Sequence, residues 1–216
     1  MNAVTSACLA PSRWRVPVAS GTSPLPSALC LLMLGLALAG CRERYEPHGT
    51  YLDPPMEVPA FTLTSAEGPV ARSDFEGSIV LIFFGFAACP DVCPDTMGRV
   101  RQALGMLEPE EARQVRVLLV SVDPERDTPE AIGRYASVFG EQFTGLTGTP
   151  EQVAQITAHY GIFHEQRALD RGGYTVDHTA ATTVLNRQGE TVLIWSYGTE
   201  PEAMADDLRF LLRRRS

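Results

Sequence analysis

The chain has 216 residues, a net charge of −8 and a hydrophobic fraction of 44%, enough for one domain of ordinary size with appendages and too apolar for a wholly disordered protein. Every basic residue is Arg, all 26 acidic residues lie beyond Gly40, and the segment from Cys41 onward sets 16 Arg against them, a formal −10. So acidic a segment argues against nucleic acid as a partner.

The first forty residues read as an export signal. Arg13 and Arg15 supply positive charge, and residues 28–39 form an uncharged apolar run, shorter than the roughly 20 residues a helix needs to span a bilayer. The run ends in Leu38-Ala39-Gly40-Cys41, which resembles the bacterial lipoprotein cleavage box, where the Cys is lipidated and becomes residue one. The alternative is a signal-anchor whose Cys41 is incidental. Residues 41–59 are polar and carry Pro47, Pro54, Pro55 and Pro59, the composition of a tether. Residues 60–216 are expected to form a single domain.

Within that domain, strands and helices alternate. A short strand is expected at 61–64, then a turn at Glu67-Gly68. The run Ile79-Val80-Leu81-Ile82-Phe83-Phe84 is apolar without alternation, as in a strand covered on both faces. A helix follows from Pro94 to about Leu107, with Val100, Leu104 and Leu107 on one stripe. A second buried strand is expected at 115–122. Thr128-Pro129-Glu130 opens a helix carrying Ile132, Tyr135 and Phe139, and Thr149 caps another over 150–160. Strands at 182–185 and 191–195 flank Asn186-Arg187-Gln188-Gly189, a hairpin signal, and 201–212 closes the chain as a helix. This order gives an α/β fold: a mixed sheet flanked by helices, with a dithiol at the end of the first long strand, the thioredoxin-like arrangement.

Cysteine arithmetic sharpens the reading. Cys8 and Cys30 leave with the signal, and lipid blocks Cys41, so Cys89 and Cys93 remain. In an exported protein such a pair forms a disulfide, binds a metal, or alternates between the two. A purely structural disulfide would close too short a ring to stabilise much. Each Cys precedes a Pro, which disfavours helical backbone; Cys93 is therefore expected at the N-cap, with Pro94 as the first helical residue. There the helix dipole would favour its thiolate.

His178, in Val176-Asp177-His178, is expected at the entry to the strand beside the dithiol. It can complete a ligand set or simply bond to backbone as a buried histidine. Asp177 either orients the imidazole or forms a turn. His48, His159 and His164 read as surface or structural. Two thiolates and an imidazole are too soft for Mg or Ca; the set suits copper, with zinc as the rival.

Three ordered motifs carry a resemblance: Gly85-Phe86 with Cys89-Pro90-Asp91-Val92-Cys93-Pro94, then Ser121-Val122-Asp123-Pro124-Glu125-Arg126-Asp127-Thr128-Pro129, then Val176-Asp177-His178. Together they closely resemble the Sco/SenC family, over about residues 59–212. The resemblance implies a thioredoxin-like fold, membrane tethering, and one copper held by Cys89, Cys93 and His178. It also implies copper delivery to, or thiol reduction at, the binuclear copper centre of cytochrome c oxidase. The partners implied are that copper-site subunit, the membrane, and other copper chaperones or thioredoxin-like reductants. Two functions therefore compete: a metallochaperone without turnover, and a thiol–disulfide oxidoreductase working through Cys89 and Cys93. A peroxidase is disfavoured, because Ala87 stands where a Thr is expected before Cys89. The Asp123 segment either presents an acidic docking surface or transient copper contact, or organises a turn and caps the next helix.

Overall fold

The computed structural model describes residues 45–214 apart from residue 171. The expected signal over 1–40 and Cys8, Cys30 and Cys41 lie outside the described residues. Among those described, no helix is long and apolar enough to cross a membrane.

In chain order, β1 (Thr50–Met56) precedes a small hairpin of β2 (Thr62–Ser65) and β3 (Gly68–Ala71). The long apolar run becomes β4 (Ile79–Gly85), followed by helix α1 (Val92–Gly105) and the single turn α2 (Pro109–Ala112). Then come β5 (Val115–Ser121), α3 (Pro129–Ser137), β6 (Phe143–Leu146) and α4 (Pro150–His159). A second hairpin, β7 (His164–Ala168) and β8 (Tyr174–His178), precedes β9 (Thr182–Leu185), β10 (Thr191–Trp195) and α5 (Pro201–Arg213).

The main sheet runs β1-β10-β9-β4-β5-β6. Strands β4, β5 and β6 are parallel, and β9, β10 and β1 add antiparallel pairings on the other side of β4. All seven residues of β4 are buried, as a strand covered on both faces requires. Helices α1 and α5 pack against each other, while α3 packs on β6 and β2. The stripe Val100, Leu104 and Leu107 is buried as its spacing predicts. Thr128 and Thr149 each accept a backbone N–H through the hydroxyl, from Ala131 and Gln152.

The expected tether is partly structure. Residues 50–56 form β1, with Thr50 paired to Ile194 and Tyr51 to Leu193. The segment before it is fastened by Asp207, a fully buried carboxylate on α5. Asp207 accepts Trp195 Nε1–H at 2.8 Å, the Tyr45 hydroxyl at 2.6 Å, and the His48 and Gly49 backbone N–H groups at 2.9 and 3.2 Å. Prolines 47, 54 and 55 suggest extended backbone, but an edge strand tolerates proline because one row of its N–H groups needs no partner. Asp207→Ala strands the buried indole N–H of Trp195, so unfolding should become easier by roughly 3 kcal/mol. Urea denaturation of the reduced protein checks this; an unchanged midpoint would remove Asp207 from the stability argument.

Candidate metal centre

Strand β4 ends at Gly85, a position where nothing larger fits. A Cβ there would lie 2.8 Å from Cys93 Sγ and 2.9 Å from the Phe83 ring, so the first turn of α1 packs directly on the strand end. Cys89 lies in the connecting loop, its N–H bonded to the Phe86 carbonyl at 3.2 Å. Asp127, buried in the turn after β5, holds this loop by accepting Ala87 N–H at 3.0 Å and the Ser121 hydroxyl at 2.6 Å. Burial pushes the Asp127 pKa up, against the pull of those two bonds. Backbone closes the junction, with Val122 N–H donating to the Gly85 carbonyl at 2.8 Å.

The N-cap is not Cys93, as expected, but Asp91. Helix α1 begins at Val92 with Asp91 at its N-cap, so Cys93 and Pro94 lie inside the first turn. First-turn amides have no acceptor within the helix, so Pro94 forfeits no hydrogen bond there. The sulfur that meets a free helix N–H is Cys89, which accepts from Cys93 N at 3.4 Å.

That geometry splits the two thiols. Cys93 is fully buried, whereas Cys89 is half-buried. The Cys93 thiol donates to Cys89, so the pair titrates as a unit. Cys89 is lowered to about 4, chiefly by that hydrogen bond, with burial opposing and His178 and the backbone at Asp91 and Cys93 assisting. Cys93 is pushed far up, first by the Cys89 sulfur and then by burial. Cys89, not Cys93, is the favoured thiolate.

His178 arrives on the second hairpin, and it ends β8 rather than opening a strand. This hairpin was not legible in advance. Its strands are largely exposed and show little polar–apolar alternation, and its turn depends on Gly172 and Gly173, both at positive φ. The imidazole Nε2 lies 3.6 Å from Cys93 Sγ, and the ligand atoms of Cys89, Cys93 and His178 all fall within 4.8 Å of one another. Metal–ligand bonds of about 2.0–2.3 Å in a trigonal array separate donor atoms by roughly 3.7 Å, so the trio fits one soft ion. The Nδ1 position meets the Thr179 carbonyl at 3.2 Å. A carbonyl only accepts, so that bond places a proton on Nδ1 and turns Nε2 toward the sulfurs.

Asp177 does not orient the ring; it is exposed and pairs with Arg167 at 3.3 Å. Phe83 and Phe86 meet the imidazole in edge-to-face contacts, with ring centres 5.9 and 5.8 Å away. His164 sits opposite His178 in the hairpin register but is outside the trio, as are His48 and His159. Asp123 is more than a turn-former. It accepts the Tyr174 hydroxyl at 2.8 Å and pairs with Arg126. Neither Arg126 nor Asp127 stands out in the sequence as a part of the site, although both lie within the second motif.

Residues 50–213 match the SCO1/SenC family. The chain belongs to it. Among relatives, the mitochondrial protein SCO2 homolog of Bos taurus is 37% identical over 152 residues, covering 69% of this chain and 57% of that protein. The chain spans little more than half the length of such mitochondrial relatives. The solution structure of apo Sco1 from Thermus thermophilus is 41% identical with a TM-score of 0.70, covering 78% of this chain and 99% of that one. Bradyrhizobium japonicum ScoI, solved with copper bound, is 34% identical with a TM-score of 0.65, covering 71% and 98%. The fold is thioredoxin-like, as the Sco/SenC resemblance implied.

Proposed function

We propose that this protein is a copper-binding metallochaperone that supplies copper to the binuclear centre of cytochrome c oxidase during its assembly. In this reading it is exported and held at the periplasmic face of a membrane by lipid on Cys41. The observation that carries it is the convergence of Cys89, Cys93 and His178, whose ligand atoms lie within 4.8 Å of one another. The copper-bound relative at 34% identity supports the choice of copper over zinc. So does the donor set: three soft-to-borderline ligands suit Cu(I), and the set is one short of a closed structural zinc site.

The burial gradient suits transfer. Cys93 anchors the site from the core, while half-buried Cys89 and His178 form its outer side. An incoming thiolate of the partner can therefore replace these outer ligands one at a time, without the copper passing through water.

One observation favours a second reading, a thiol–disulfide reductase. The partly buried Cys89 has a pKa of about 4, so it is a thiolate at neutral pH. It can attack a partner disulfide to give a mixed disulfide. Cys93, surrendering its proton, then attacks Cys89, leaving a Cys89–Cys93 disulfide and a reduced partner dithiol. The two readings separate in one mixing experiment. Reduced protein loaded with Cu(I) should carry one copper per chain and pass it to a reduced, copper-free fragment of the oxidase copper-site subunit. If copper stays put while an oxidised fragment is reduced at speed, the reductase reading replaces the chaperone.

A further inference from the structure

The three site residues ride on two different bodies. Cys89 and Cys93 sit on the loop and helix that follow β4, packed on the central strands. His178 ends a two-stranded hairpin that belongs to no larger sheet. Such a ribbon is marginal by itself in water. Within its strands only Val176 is buried. His178 lies at the base of the hairpin, four residues before Thr182 of β9, so its distance from the sulfurs is set by that connection and by whatever fastens the rest of the hairpin to the core.

Arg126, in the turn after β5, is the principal fastening at the Tyr174 end. Its guanidinium lies 3.8 Å over the Tyr174 ring and donates to the Tyr174 carbonyl at 2.8 Å. It also pairs with Asp123, whose carboxylate is fully buried and whose other oxygen takes the Tyr174 hydroxyl at 2.8 Å. A lesser bond, Gln166 to Glu125 at 3.2 Å, ties the other strand to the same turn. The guanidinium also lies 5.8 Å from the centre of the Phe86 ring, and that ring meets His178 in an edge-to-face contact at 5.8 Å. A chain of ring and guanidinium contacts thus runs from Tyr174 through Arg126 and Phe86 to the imidazole. The planar, five-donor fork of arginine can stack, pair and donate at once, which lysine cannot.

We infer that Arg126 is a positioning residue: it latches the β7–β8 hairpin to the core and so holds His178 in ligating distance before any metal arrives. The inference rests on the copper reading of the trio. It assigns the affinity of the site partly to a residue that touches no ligand atom. Without the latch, incoming copper must spend binding energy on ordering the hairpin.

The test compares full-length Arg126→Met, Arg126→Lys and Tyr174→Leu with the parent. Tyr174→Leu leaves the Arg126–Asp123 pair intact, and so covers the case in which Arg126→Met strands the buried Asp123 and fails to fold. Two readouts matter: the imidazole signals of His178 in the metal-free, reduced protein, and Cu(I) affinity by competition with a chelator. Loss of a partner outside the ligand set typically weakens metal binding about 10–100-fold, and that is the fall expected for Met and Leu, with Lys between. The His178 resonances should shift or broaden, while the Cys89–Cys93 disulfide potential stays at the parent value. A lowered melting temperature with parental Cu(I) affinity and unmoved His178 signals overturns the latch. If the parent itself fails to bind copper, the copper reading falls, and the metal-free His178 spectrum still decides the role of Arg126.

Discussion

His178→Ala should lower Cu(I) affinity by more than about a hundredfold, beyond the 10–100-fold typical for loss of an outer partner. The imidazole is one of three converging donors, and no other His lies in the group. The pair that remains can hold Cu(I) only through two sulfurs. Stability should change little by comparison. The ring is half-buried and meets Phe83 and Phe86 in edge-to-face contacts at 5.9 and 5.8 Å. Losing two such contacts costs about 1–2 kcal/mol, a few degrees in Tm for a domain of this size. Disulfide exchange at Cys89 should survive, since His178 is a lesser cause of its lowered pKa. Chelator competition beside calorimetry checks both halves. Parental Cu(I) affinity in the variant would falsify the ligand assignment.

Why His178 could be picked out while its supports could not has a physical explanation. The buried strands β4 and β5 and the capped helices announce themselves through local chemistry: unbroken apolar runs, Thr-Pro starts, one-sided stripes. Ligand identity is also local, because few residue types bind soft metals. Support is different. Arg126 reads as a surface charge until Tyr174, 48 residues on, is folded over it. Asp207 reads as one more helix carboxylate until Tyr45 and Trp195 donate to it. Such pairings are set by tertiary geometry, and no periodicity in the sequence reports them. The misassigned cap at Cys93 has a subtler origin. The residue before proline is steered from helical backbone only on average, and the first turn of a helix relaxes the constraint. The edge strand β1 was hidden by its prolines for a similar reason, since an edge needs only half its amides.

The thiols should prove unequal in a way that single-residue alkylation can read directly. With iodoacetamide at about pH 5, an ordinary thiol is about 0.03% thiolate, whereas Cys89, at about 4, is mostly ionised. A thiolate of so low a pKa is intrinsically weaker, by about a hundredfold at a Brønsted slope of 0.4–0.5, so the net advantage is roughly thirtyfold. Cys93 should stay unlabelled until the protein unfolds, being fully buried and protonated. The same asymmetry fixes the pH dependence of stability. Cys89 gives up its proton near 4 when folded and near 8.5 when unfolded, so the unfolded chain binds more protons between those values. The contribution of Cys89 to stability therefore grows with pH through that window and is lost as pH falls toward 4. Cys93 acts in the opposite sense: the folded chain keeps its proton above the ordinary thiol range, and stability declines as pH rises beyond about 9. The reduced protein should thus gain most from the pair near pH 8–9. Because the Cys93 thiol is the leading cause of the shift, Cys93→Ala should send the Cys89 labelling midpoint up by several pH units, and Cys93→Ser, which keeps a donor, by less. A midpoint that stays near 4 in Cys93→Ala would transfer the effect to the helix N-terminus and His178, and the shared proton would have to be abandoned.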